Sequence, residues 1–364
     1  MAQMQLKYRK NFGLLVAYVV LVTILFVISM FFAKTMMNNF LESEFNNRKV
    51  EVFDQTIKPF NELFYDKIPE ISYYQGYLDS LQAFDYVNLV LRKNPFVESV
   101  LFYDILISNT DTLERGIRFN NLLIHPKTVL SYHLNSENHL ITSRKNSEES
   151  KLYIDDFNTM ALKLVGFLDR VSDTTKLTDD DVFKVFYALN AGKVTYMNIP
   201  RVADLLAYKN MMFNAGLPRM DFDQDMFIFL IDPKKIKIQN AAPTLYEHIE
   251  ILPIVNAKVT DTNPFLLTEL ALPGAMSDYK LTFSASKVFI EKELSRRFLP
   301  VSIGISIVYF ILILIAYLIY RNVFINGKLF QLQYDFINNL THEFKTPVSV
   351  IKIAGNNIQR SENL

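Results

Sequence analysis

In a chain of 364 residues, 38 basic side chains are balanced by 38 acidic ones, which excludes the basic surplus expected of a nucleic-acid-binding protein. The absence of cysteine excludes a disulfide framework, cysteine-ligated zinc and a thiol nucleophile, and leaves the compartment open.

Residues 1–11 are basic at Lys7, Arg9 and Lys10, and from Phe12 to Ala33 no residue is charged. Those 22 residues suffice to cross about 30 Å of hydrocarbon at about 1.5 Å per helical residue. A secretory signal peptide also begins with basic residues. Its apolar core is shorter, however, at roughly 7–15 residues, and "FFAKTMM" offers no small-residue cleavage site. An uncleaved transmembrane helix over 12–33 is expected. Only Lys34 is basic in the dozen positions after this run, so the basic bias places residues 1–11 in the cytoplasm.

The segment 34–297 is too long for a loop and is expected to fold outside the membrane. No fixed-period repeat or low-complexity tract is visible in it, which argues against a solenoid or a disordered stalk. "TMMNNFLESEFNNRKVEVFDQTI" has neither Gly nor Pro before Pro59 and reads as a helical stalk. Phe53, Ile57, Phe60 and Phe64 follow at helical spacing as its packing face. A helix is expected around Tyr77–Lys93, followed by a strand at "VESVLFYDILIS" and a turn at "SNTD". "KLTDDDVFKVFYALNAGK" predicts a second helix, with Thr178 as N-cap, Asp179–Asp181 in the first turn and Gly192 as terminator. Three consecutive aspartates point around a helix rather than toward one ion, so capping is favoured over calcium and no metal is expected.

"KVTYMNI" reads as a strand. "MFIFLI-DPKK-IKI" and "LLTELAL-PGAMSD-YKLTF" read as two strand pairs, and "SASKVFIEKELSRRF" as a return helix. This order of long helix, hairpin-built mixed or antiparallel sheet and return helix resembles the PAS-like or Cache sensor domains of bacterial receptors. The resemblance implies an α+β fold that binds an unknown extracytoplasmic ligand. The chain has no Trp, so the aromatic box of some amino-acid-binding Cache domains is not matched. "SYYQGY" at 72–77, Arg115 and Arg118 are pocket candidates, although core packing and solvation explain them better.

A second uncharged run, 298–320, lies between Arg297 and Arg321 and predicts a second transmembrane helix, with Pro300 a bend at its boundary. Lys292, Arg296 and Arg297 flank it on the outer side against Arg321 and Lys328 within, so its local charge does not set orientation. Two spans still put both termini on one side. The expectation is a two-pass plasma (inner) membrane protein with cytoplasmic termini.

In residues 321–364, Val323, Phe330, Ile337, Phe344, Ile351 and Ile358 recur every seven positions, a seam that calls for a facing helix, most simply that of a second copy. On this register His342 lies farthest from the seam. Glu343 can accept a proton from its imidazole, Thr346 lies one turn on, and Pro347 removes a helical hydrogen bond just past it. The zinc-protease pattern H-E-x-x-H starts alike but needs a second histidine where this chain has Thr346.

Thr341, His342, Glu343, Phe344, Lys345, Thr346 and Pro347 resemble the H-box (336–351) of two-component sensor histidine kinases. The resemblance implies that His342 accepts the γ-phosphoryl of ATP with Mg2+. Glu343 would serve as base and Thr346 as a positioner of hydrolytic water, with onward transfer to an aspartate of a response regulator. The chain stops at Leu364, before the second dimerisation helix and the ATP-binding domain of that family, so the ATP site is expected outside it. The alternative is a non-enzymatic receptor or adaptor whose cytoplasmic helix recruits a partner.

Overall fold

The computed structural model describes residues 2–68, 77–110, 116–144, 154–170, 185–255 and 264–361. The chain divides into two units, Met1–Leu41 with Glu291–Leu364, and Glu42–Ile290.

The first unit is built from parts of two long helices, α1 (Ala2–Asn61) and α5 (Lys287–Ser361). Both are long and apolar enough to cross a membrane. Their apolar side chains, among them Phe31, Phe32, Ile307 and Phe310, lie exposed, an arrangement costly in water and favourable in lipid. Three serine and threonine hydroxyls in these stretches are satisfied locally: Thr23 donates to the Val19 carbonyl, Ser302 to that of Leu299 and Ser306 to that of Ser302, each at 2.8 Å. Tyr309 instead meets Ser29 of the other helix at 2.8 Å. Its ring packs edge-on against Phe26, with centroids 5.3 Å apart. Helix α5 continues through both Pro300 and Pro347.

The second unit is an α+β domain. Its larger sheet is antiparallel, ordered β2-β3-β1-β7-β6-β5, with β4 also paired to β3. The strands are β1 (Val97–Ser108), β2 (Ile117–Phe119), β3 (Leu122–Leu134), β4 (Leu140–Arg144), β5 (Tyr187–Asn190), β6 (Lys193–Met197) and β7 (Asp221–Ile231). Because successive strand residues point to opposite faces, β1 sends Leu101, Tyr103, Ile105 and Ile107 into a core shared with α3 (Ile154–Arg170) and α4 (Val202–Phe213). The other face carries Phe102, Phe227 and Phe229 beneath α2 (Ser80–Lys93) and Phe64. Helix α2 starts on a capping box in which the Asp79 carboxylate accepts from the N–H groups of Leu81 and Gln82, the arrangement that satisfies orphan donors at a helix start.

The smaller sheet, β8-β10-β9, comprises β8 (His248–Pro253), β9 (Leu266–Ala271) and β10 (Tyr279–Ala285). Tyr246 joins it to α1, its ring packed at a tilt against Phe283 and Phe45 and its hydroxyl donating to the Phe45 carbonyl at 2.6 Å.

Several expected elements are present: the stalk helix, the helix ending at Lys93, β1 over 97–108, β6, the β9–β10 pair and the return helix. Two expectations are corrected. Residues 187–190 form β5 of a hairpin with β6 rather than the end of a helix, and Gly192, at φ +72°, makes its turn. An Asn-x-Gly signature suits a helix terminus and a hairpin turn alike. Thr178 and Asp179–Asp181 lie outside the described residues. The second correction concerns "IKI", which forms no strand against β7. Both edges of β7 are occupied, by β1 and β6, so no edge remains for a hairpin partner. The chain leaves instead through a 3-10 turn, Pro233–Lys235, capped by Asp232.

Candidate functional site

Two places among the described residues gather chemistry. The first is the end of α5, where His342, Glu343 and Thr346 occupy one helical stretch and are all exposed. The Thr346 hydroxyl faces the His342 main-chain carbonyl at 3.5 Å, and Thr341 donates to the Ile337 carbonyl at 2.8 Å. Among the described residues no hydrogen bond joins Glu343 to the His342 imidazole. Successive residues on a helix diverge by about 100°, so the two side chains leave the helix in different directions. The seam is uncovered in the single chain: Phe330 is 73% exposed, Phe344 64% and Ile351 70%. The side chain of Ile358 lies outside the described residues. The histidine thus projects from a helix whose apolar stripe meets no partner among the described residues.

The second place, missed by sequence reasoning, is a polar cluster on the face of the large sheet beneath α2. Asp104 of β1 and Asp225 of β7 are paired across the strands. The β1–β3 register slips between Asp104 and Ile105, whose partners are Thr128 and Pro126, leaving Lys127 as the extra residue of a bulge. A bulge re-aims its side chain, and the Lys127 ammonium reaches Asp104 at 2.8 Å and Asp223 at 2.7 Å. Pro126 has no N–H to give, which a bulge tolerates. Burial would lower the Lys127 ammonium, but its hydrogen bonds to Asp104 and Asp223 outweigh this and raise it. Tyr77 donates to Asp104 at 3.4 Å, and burial, helped by the Asp104 charge, pushes its phenol up to about 12.

Asp225 is completely buried. Its Oδ2 accepts the Leu78 N–H at 2.7 Å and the Asn198 amide at 2.8 Å. Asn198 is held in turn by the Tyr196 hydroxyl, and its carbonyl accepts from the Gln224 amide at 2.6 Å. Among the described residues no hydrogen bond reaches Oδ1 of Asp225. Burial pushes this carboxyl up to about 7, against the opposing pull of the Leu78 and Asn198 donors.

Of the pocket candidates among the described residues, Tyr77 joins this cluster and Arg118 does not. Arg118 is exposed on β2 and donates to the Thr110 carbonyl at 3.4 Å, while 72–76 and Arg115 lie outside the described residues. Among the described residues no group of three or more His, Cys, Asp or Glu side chains is placed to hold a metal ion.

No family model matches the chain. A segment of 82 residues, 22% of this chain, is 43% identical to the protein named "Sensor protein RprX" of Bacteroides fragilis (strain YCH46) and spans 15% of that protein's length. No solved structure matches.

Proposed function

We propose that the chain is the sensing and acceptor portion of a membrane sensor histidine kinase. Its domain 34–297 lies outside the inner membrane, and residues 321–364 begin the cytoplasmic dimerisation and phosphotransfer helix. The carrying observation is the run Thr341–Pro347, its histidine exposed on a helix that continues from an apolar, membrane-length stretch. The name borne by the relative from Bacteroides fragilis, a sensor protein, supports the same reading.

In this reading His342 Nε2 attacks the γ-phosphorus of Mg-bound ATP. The P–N bond forms as the P–O bond to ADP breaks, and Glu343 takes the Nδ1 proton. Catalytic hydrogen bonds often form only in the assembled complex, which accounts for the separation of Glu343 from the imidazole in the single chain. The phosphoryl group then passes to an aspartate of a response-regulator receiver domain. Thr346, one turn along, positions water for the reverse dephosphorylation. The uncovered seam takes the same seam of a second copy, giving a homodimer.

The test is incubation of the full-length gene product, in membranes, with γ-labelled ATP. Acid-labile, alkali-stable label is expected, and His342→Gln should abolish it. Label that persists in His342→Gln would sink the assignment. A full-length product that takes no label would favour the non-enzymatic receptor instead.

A further inference from the structure

The face of the large sheet beneath α2 packs Phe102, Phe227, Tyr132 and Tyr196, and within it one carboxyl group is buried with half of its hydrogen-bonding capacity unused. Asp225 is fully buried, its Oδ2 accepts from Leu78 and Asn198, and among the described residues no hydrogen bond reaches its Oδ1. The groups that face it can be named element by element. Across β1 stands Asp104, committed to Lys127 of β3. Beyond β6 lies the neutral Asn198. Along β7, Asp223 is engaged by the same Lys127. From the lead-in to α2 come Tyr77, bonded to Asp104, and the Leu78 main chain. On α2 itself Tyr86 packs against Phe227. The nearby cation is therefore shared between two other carboxylates. An ionised Asp225 would hold its charge in an apolar interior with a bare oxygen, whereas a neutral acid carries its proton on that oxygen at much lower cost.

We propose that Asp225 is a proton-binding site through which this domain reads ambient acidity. The closed arrangement, with Leu78 and the start of α2 held against the sheet, suits the neutral acid. The carboxylate is the better acceptor for the Leu78 N–H, but the cost of burying its charge there outweighs that bond and favours opening. The inference deepens the sensor reading above and rests on it, because it names the proton as a stimulus. In the alkaline step the Oδ1–H bond breaks, the proton leaves to water, and the carboxylate keeps the electron pair. That carboxylate needs a new donor at Oδ1, and water supplies one once the Tyr77–Leu78 segment lifts. The lifted segment immediately precedes Asp79, the N-cap of α2, so its release also loosens the first turn of that helix. Burial has moved the carboxyl up to about 7, which places the step within the range of natural external pH.

The experiment is hydrogen–deuterium exchange on the full-length protein in lipid nanodiscs from pH 5.5 to 8.5, corrected for intrinsic exchange and read at the amides of Leu78–Gln82. Protection in the wild type is expected to fall at least tenfold with a midpoint near 7, and Asp225→Asn should remove the dependence. A flat wild-type profile overturns the proposal whether or not the variant folds. An Asp225→Asn profile that matches the wild type also overturns it. Labelling of His342 at pH 6 and pH 8 provides the second arm. A ratio that Asp225→Asn flattens supports the switch, and a titrating site with unchanged labelling overturns its sensing role. Absence of label at every pH would count against the kinase reading alone, with the exchange profile still deciding the proton site.

Discussion

At the scale of single residues, Asp225 and His342 show two ways a titratable side chain can be set apart. Asp225 is deprived of water, and its carboxyl is raised from 3.8 to about 7. The folded state therefore holds its proton more tightly than the unfolded chain does. The stabilisation is complete below pH ~4 and is lost as pH rises through ~7, a span of about 3 pH units or on the order of 4 kcal/mol. Urea unfolding of the protein should show stability falling across that window, and Asp225→Asn should remove most of the slope. His342 is exposed, and its proposed reactivity rests on neighbours rather than burial. Thr346→Ala is expected to leave phosphorylation of His342 intact while slowing dephosphorylation of the regulator about tenfold or more, a separation readable with purified components. Equal loss of both activities would point to a helix defect instead.

At the scale of elements, the Tyr309 hydroxyl cannot reach its own helix carbonyls as a serine or threonine does, so Ser29 of the other helix satisfies it. An interhelical hydrogen bond of this type contributes about 0.6 kcal/mol in lipid. Tyr309→Phe should weaken the pairing by about that amount while keeping the ring on Phe26. Because the chain has no cysteine, crosslinking between paired engineered cysteines in α1 and α5 reads this without background. In the large sheet, Lys127→Met should cost about 1 kcal/mol or more by leaving Asp104 without its cation, tempered by the exposure of the pair. Urea denaturation would measure it.

Sequence patterns made the long helices, β1 and the β9–β10 hairpin legible, because period, length and turn residues agreed there. They misread the segment ending at Gly192, where one Asn-x-Gly signature serves two structures, and the stretch after β7, whose edges were already taken by distant strands. The H-box stood out as a contiguous run. The Asp225 cluster did not, because its members come from β1, β3, β7 and the lead-in to α2. One local signal was present. In "DFDQDMFIF", Asp223 and Asp225 alternate in phase with Phe227 and Phe229, so period-two reading places carboxylates on a face that turns apolar.

At the scale of the whole molecule, the sensor reading needs two copies as well as two membrane passes. The seam of α5 leaves Phe330, Ile337, Phe344 and Ile351 exposed in one chain, and covering these side chains is worth roughly 1.5–3 kcal/mol each when complete. Ile337→Asp combined with Phe344→Asp should convert a detergent-solubilised dimer to monomer in analytical ultracentrifugation, and phosphorylation of His342 should fall with it. A double variant that remained dimeric would move the dimer contact elsewhere. The central claim, that His342 is the acceptor, is tested most directly by mapping the phosphoryl group itself. Full-length protein in membranes is exposed to ATP and digested at neutral pH, and the peptide spanning 338–351 is fragmented by mass spectrometry. The account predicts a single phosphoryl group on the His342 imidazole. An unmodified peptide, or a phosphoryl group on Thr341 or Thr346, would contradict it.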